Sequence, residues 1–267
     1  MSLGRRFVAD RRRAFLWWSL GIVLTVGLTV VVWPSVRGQQ QFEDLMRDLP
    51  PAVRALFGAQ ESIPFTSPAG YLHGRLFSGL LPLLVLVFGI GLGARAVGGD
   101  EEDGTLELVL AHPVSRGRVA FERYVAVVVL IGALTTVGVA ALLAMAPAVG
   151  LLDGVGLVRV VGAGAALVAL ALLHASVAFA AGCAFGRRGI ASAMAGAVAV
   201  AGYLLVGLTA AGAPEALRWV SPWHWYLDRN LLVDAPRAAA TLLPLALGLA
   251  LAAAGGWRFV HRDLRLP

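Results

Sequence analysis

Leu76-Phe77-Ser78-Gly79-Leu80-Leu81-Pro82-Leu83-Leu84-Val85-Leu86-Val87-Phe88-Gly89-Ile90-Gly91-Leu92-Gly93-Ala94-Arg95-Ala96-Val97 is an almost unbroken apolar run, and the next residues are Gly98-Gly99-Asp100-Glu101-Glu102-Asp103. A run of this length is sufficient to cross a ~30 Å hydrocarbon core as a helix. Strand-like alternation is not the dominant pattern, so the backbone is satisfied by helices and not by a barrel. Five further runs share this character: Ala14 to Trp33, Tyr124 to Val149, Val160 to Phe185, Ile190 to Gly212 and Ala238 to Trp257. The expected fold is therefore all-α, one polytopic membrane domain of six transmembrane helices covering residues 1–267.

Composition agrees with this reading. Of 267 residues, 58% are hydrophobic and 14% charged, well below the roughly one quarter charged that is usual in soluble domains. All 22 basic residues are Arg and the net charge is +6. Because the Arg residues lie mostly in loops and at helix ends, they read as topological anchors and not as a nucleic-acid surface. Cys183 is the only cysteine and sits in an apolar run, which leaves no intrachain disulfide or thiolate cluster. The basic N-terminus leads into an apolar run with no small-residue cleavage pattern, so a retained first helix is expected.

Between the spans lie patterned polar segments. Residues 1–13, with Arg5, Arg6, Arg11, Arg12 and Arg13 around Leu3, Phe7 and Val8, suit either a short interfacial helix or a plain charged flank. In residues 34–74, Phe42, Leu45, Met46 and Leu49 repeat at helical spacing, Pro50-Pro51 interrupts, and Val53, Leu56 and Phe57 resume the pattern. Two short amphipathic helices follow, the second with Pro51 in its first turn. Ser67-Pro68 reads as an N-cap leading into the second span. Residues 213–237 contain Ser221-Pro222-Trp223-His224-Trp225-Tyr226. There Trp223, Trp225 and Tyr226 read as interfacial anchors or as an outer gate. Arg-rich short segments, Gly186-Arg187-Arg188-Gly189 among them, place both termini and residues 98–122 on the cytoplasmic side by the positive-inside rule.

Several chemistries lack their motifs. A chain without Lys has no G-x-x-x-x-G-K-[ST] phosphate loop, and neither H-E-x-x-H nor G-x-S-x-G occurs. The six spans as bounded above hold no carboxylate, which disfavours ion-coupled transport. His174 is the one ionisable residue expected deep in a span, as a packing residue or a proton relay. The run Asp100 to Asp103 reads as a solvated acidic turn more readily than as a divalent-cation site. No metal site is expected. The glycines inside spans, densest at Gly89, Gly91 and Gly93, permit either close packing or helix sliding.

Within the insert, Asp103 or Gly104 is expected to cap a two-turn helix. Leu106, Val109 and Leu110 form one apolar face, and Glu107 lies in the first turn. Pro113 stops the helix at His112, and Ser115 caps the next one. Alone, a helix this short is unstable and must lean on something.

Glu102-Asp103-Gly104-Thr105-Leu106-Glu107-Leu108-Val109-Leu110-Ala111-His112-Pro113-Val114-Ser115-Arg116 resembles the E-x-G-T-L-E-x-L-L-x-x-P-V-S-R pattern after the second span in membrane subunits of ABC-2 type ATP-binding-cassette exporters. The basic N-terminal segment, the large segment between spans one and two, and the Ser-Pro-aromatic cluster are similar too. The resemblance implies a permease subunit in the cytoplasmic (inner) membrane whose coupling helix, Asp103, Gly104, Thr105, Leu106, Glu107, Val109, Leu110 and Pro113, rests in a separate ATPase subunit. Glu107 and Arg116 are its implied polar contacts. It further implies two ATPase copies that bind ATP and Mg, a second permease subunit as homodimer or related heterodimer, no catalysis by this chain, and export. The Leu, Val, Ala and Gly of the spans suit an amphipathic or hydrophobic cargo such as a drug, antibiotic or lipid. An ion-coupled carrier and a non-transport sensor or anchor subunit are the alternatives.

Overall fold

The computed structural model describes residues 3–56, 63–111, 113–228, 230–234 and 238–263. Phe57 and His112 lie outside the described residues, as does the side chain of Phe42. Among the described residues every regular element is helical. The helices are α1 (Leu3–Asp10), α2 (Arg12–Val36), α3 (Gln40–Asp48), α4 (Pro51–Leu56), α5 (Pro68–Glu102), α6 (Leu106–Leu110), α7 (Arg116–Val149), α8 (Leu157–Phe185), α9 (Arg188–Ala210), α10 (Pro222–Leu227) and α11 (Ala238–His261), with a short 3-10 helix at Glu215–Val220 before α10. The six long ones, α2, α5, α7, α8, α9 and α11, are long and apolar enough to cross a membrane.

Several expected boundaries hold because their local chemistry is strong. Ser67 Oγ accepts from Gly70 N at 3.1 Å with Pro68 at the first helical position, and Ser115 Oγ accepts from Arg118 N at 3.3 Å. Pro51 opens α4 as expected. The expected amphipathic helix before it forms as α3, with Met46 and Leu49 half-buried but Leu45 56% exposed. The second span is longer than the apolar run that announced it. It begins at Pro68 and continues through Asp100, Glu101 and Glu102, with π-helical stretches at Leu72–Leu80 and Arg95–Gly99. The third begins at Arg116, two turns before Tyr124. Low hydropathy at His73, Arg75, Arg118 and Glu122 hid these helix ends, although both N-caps were readable.

α8 is the central helix. In its most apolar stretch 72% of residues are buried, against 22%, 17% and 22% in α2, α9 and α11, whose outer faces are open. It packs against α11, α5, α9 and α7, while α2 leans on α7. Close contact with α5 depends on glycine. A Cβ on Gly93 would stand 2.2 Å from Ala175 O of α8, and one on Gly89 would stand 3.0 Å from Ile131 Cδ1 of α7 and 3.6 Å from Ala171 O of α8, whereas Gly91 faces open space. The glycine run therefore serves packing along one face.

Six crossings put both described ends of the chain at one end of the bundle. α1 docks on the start of α7, where Gly4 N donates to Glu122 Oε2 at 3.0 Å, and Arg262 reaches Glu101 and Cys183 O. The loops at 103–115 and 186–187 lie at that same end. At the opposite end, α4 closes on α9 through Tyr203 Oη donating to Leu56 O at 2.7 Å.

Candidate functional site

α5 ends at a Schellman turn. Thr105 N donates to Asp100 O at 2.9 Å, Gly104 N donates to Glu101 O at 3.2 Å, and Gly104 takes the left-handed φ of +69°. Gly104 thus terminates the incoming helix and does not cap the next one. Nor does Asp103; the residue before α6 is Thr105, whose side chain caps nothing in α6 and instead donates to Asp100 O at 3.2 Å.

The expected apolar ridge forms, but it turns inward. Leu106 is 1% exposed within the core, and Val109 and Leu110 are half-buried against the same cluster. The physical reason is the one that makes a five-residue helix unstable alone: it leans on its own bundle. The face left outward holds Thr105, Glu107, Leu108 (69% exposed), Ala111 and Pro113. Leu108 did not belong to the expected set. Arg116 is half-buried, and its Nη1 donates to Arg262 O at 2.8 Å.

Of the expected solvated turn Asp100 to Asp103, only Glu102 and Asp103 are exposed, whereas Asp100 is half-buried and the Glu101 side chain is buried. Successive helical residues are rotated by about 100°, so adjacent carboxylates address different neighbours. Asp100 meets Arg123 of α7 at 2.5 Å, and Arg123 Nη1 also donates to Ala96 O at 2.7 Å. Glu101 accepts both terminal nitrogens of Arg262, the pair lying at 4% and 7% side-chain exposure, and Arg262 Nε donates to Cys183 O at 2.5 Å. Glu102 accepts from Arg188 N at 2.8 Å at the start of α9, and Asp103 lies 3.6 Å from Arg188 Nη1. Gly186, the left-handed residue ending α8 at φ +64°, leaves the room that Glu101 occupies, since a Cβ there would stand 2.5 Å from its carboxylate. Arg11, at the junction of α1 and α2, completes the group. Burial pulls its guanidinium down to about 10, with Asp100 opposing, and it lies 3.5 Å from the Phe7 ring centre.

One four-residue run therefore clasps the ends of α7, α9 and α11 and is continuous with α5 and, through Gly104, with α6. A displacement of α6 has a bonded route to four spans. The clasp was invisible in sequence because its partners lie far along the chain, with Glu101 and Arg262 161 positions apart. Its Arg members read only as topology anchors.

At the opposite end, α10 is buried in the bundle. Ser221 Oγ donates to Gly202 O at 2.6 Å and accepts from His224 N. Trp223 Nε1 donates to Ala199 O of α9 at 2.9 Å, and Tyr226 Oη donates to Phe77 O of α5 at 2.8 Å. Trp225 is half-buried and donates locally to Trp219 O at 3.1 Å. Burial raises the Tyr226 phenol and lowers the His224 imidazole, the latter against the raising effect of Asp228. His174 lies beneath this cluster with Nδ1 on Leu170 O at 2.8 Å and its ring 6.5 Å from that of Trp223. His73, fully buried in the first π-helical stretch, is a second intraspan histidine. Because it precedes the apolar run, hydropathy gives no sign that it lies within a span.

No curated protein matches the sequence of this chain. A family model described as ABC-2 family transporter protein matches residues 8–264, so the match takes in α2 to α11, the insert and the acidic clasp. Members of this family are membrane components of transport and work in general with an ABC ATPase. With six apolar spans and a match over nearly its full length, the chain belongs to the ABC-2 transporter family as a multi-pass membrane protein.

Proposed function

We propose that the chain is the permease subunit of an ABC exporter in the cytoplasmic membrane. Two permease subunits, identical or related, pair with two ATPase subunits that bind ATP and Mg. The observation that carries this reading is the attachment of α6 to the acidic clasp. An outward face of Glu107, Leu108 and Pro113 is joined, through the turn at Gly104, to carboxylates that hold α7, α9 and α11. An ATPase cleft seated on that face moves four spans together when ATP draws the two ATPases toward each other. The insert and both termini are then cytoplasmic.

The opposite end provides the outer gate. Trp223 and Tyr226 join α9 to α5 across α10, and parting those helices breaks at least one of the two hydrogen bonds, with Trp225 at the rim. The apolar walls suit an amphipathic or hydrophobic cargo such as a drug, antibiotic or lipid.

The test is reconstitution. The chain in proteoliposomes with an ABC ATPase subunit that co-purifies with it is expected to move a hydrophobic dye only with ATP, and Mg chelation abolishes transport. Transport by the chain alone under a proton gradient, or purification with no ATPase attached, contradicts the proposal.

A further inference from the structure

We propose that the first π-helical stretch of α5, Leu72–Leu80, is a register switch that works the outer gate, an inference that rests on the reading of α10 as that gate. The evidence lies where the π-helical stretch meets the α-helical one. Leu81 N donates to Leu76 O, five residues back, whereas in an α-helix it would serve Phe77 O. The next N–H, which the π register would bring to Phe77 O, does not exist, because residue 82 is Pro. Phe77 O is left without a donor from its own helix. Tyr226 Oη of α10 supplies one, donating to it at 2.8 Å, and Phe77 and Tyr226 are 0% and 1% exposed.

A buried carbonyl without a donor is costly, so helix register and gate form one equilibrium. In the π register Phe77 O depends on the Tyr226 hydroxyl. When the stretch rewinds to α, Leu81 N returns to Phe77 O and Tyr226 is released. The carbonyl that Pro82 then leaves without a donor is that of Ser78, four residues back. Pro82 therefore deprives one carbonyl in either register, and what meets that carbonyl decides between them. A phenol from α10 holds the closed arrangement, and water in the parted pathway serves the open one.

The side chains of the stretch point the same way. His73 is 0% and Ser78 1% exposed, and among the described residues neither ring nitrogen of His73 nor Ser78 Oγ has a hydrogen-bond partner. Polar groups buried unsatisfied destabilise the arrangement that buries them, and here that is the closed one. Hydration of an opened pathway relieves both. π-Helical geometry beyond a single turn is itself rare and clusters at functional sites. The closed stretch is thus poised to rewind, with the Tyr226 hydroxyl as its catch.

The experiment uses the full chain purified in detergent and needs no ATPase, so its outcome is independent of the reconstitution that tests the permease reading. Ser78→Cys reports exposure of the stretch through its rate of labelling by a water-soluble maleimide, the native Cys183 being fully buried. In that background Tyr226→Phe, which keeps the ring and removes the hydroxyl, is expected to raise the rate about tenfold, as for a buried hydrogen bond lost. Combined with Pro82→Ala, which supplies an N–H in either register, the same substitution is expected to change the rate by less than about twofold, the mark of two coupled positions. Pro82→Ala by itself is expected to keep or raise the unfolding midpoint. Tyr203→Phe, which removes the hydrogen bond to Leu56 O at the same end of the bundle, is expected to leave the rate unchanged. Equal acceleration by Tyr226→Phe with and without Pro82→Ala overturns the switch, since residues 82 and 226 then act independently. So does a Tyr226→Phe chain labelled no faster than its parent, equal acceleration by Tyr203→Phe, or a lowered midpoint in Pro82→Ala.

Discussion

Glu101 and Arg262 illustrate what one pair contributes here. Both side chains are under a tenth exposed, and each is the other's charge partner. Removing one charge from such a pair leaves the other buried without compensation, a cost of about 3–5 kcal/mol, whereas replacing both with apolar groups is often close to neutral. Glu101→Gln is accordingly expected to lower the thermal unfolding midpoint in detergent sharply, and Glu101→Leu with Arg262→Met to recover most of the loss. Equal midpoints for Glu101→Gln and the parent chain would remove the clasp from the account. The partnership follows from helix rotation, which points adjacent carboxylates in different directions, and from folding, which returns residue 262 to residue 101. Neither is encoded locally. By contrast, the capping Ser67, Ser115 and Pro51 act on neighbours within four residues and were legible at once.

Among the elements, α5 carries the main lesson. Its apolar middle announced a span, but both its ends extend into residues whose polarity resembles that of a loop. His73 is buried in the π-helical start, and Asp100 to Glu102 continue the helix because Arg123, Arg262 and Arg188 receive them. Hydropathy reads the solvent a helix is expected to meet, and here protein takes the place of solvent. The packing of α5 on α8 is tested at adjacent small residues. Gly93→Ala places a methyl 2.2 Å from Ala175 O and forces the helices apart, with an expected loss of about 1–3 kcal/mol as for overpacking. Gly91→Ala meets nothing within 4 Å and is expected to hold or raise stability by up to about 1 kcal/mol through helix propensity. Unfolding midpoints of the two variants, compared side by side, check this. If both shifted alike, the glycine run would not be a packing face. The five-residue α6, shorter than the two turns expected, shows the same limit of local reading. Spacing identified its ridge, but only the fold shows that Leu106 faces inward and Leu108 outward.

For the molecule as a whole, six apolar runs were enough to give class and span number, since bilayer thickness fixes helix length. Their arrangement around α8 was not legible, because apolar helices of similar composition do not declare their neighbours. The central claim is that the outward face of α6 receives an ABC ATPase and passes its motion through the clasp. The most direct measurement is the ATPase rate of that partner reconstituted with wild-type chain, Glu107→Arg and Leu108→Asp. Both residues point away from the core, so membrane insertion and unfolding midpoint are expected to stay unchanged. The predicted result is loss of permease-dependent stimulation by about tenfold in each variant, as for a residue central to an interface. Full stimulation in both variants would contradict the account.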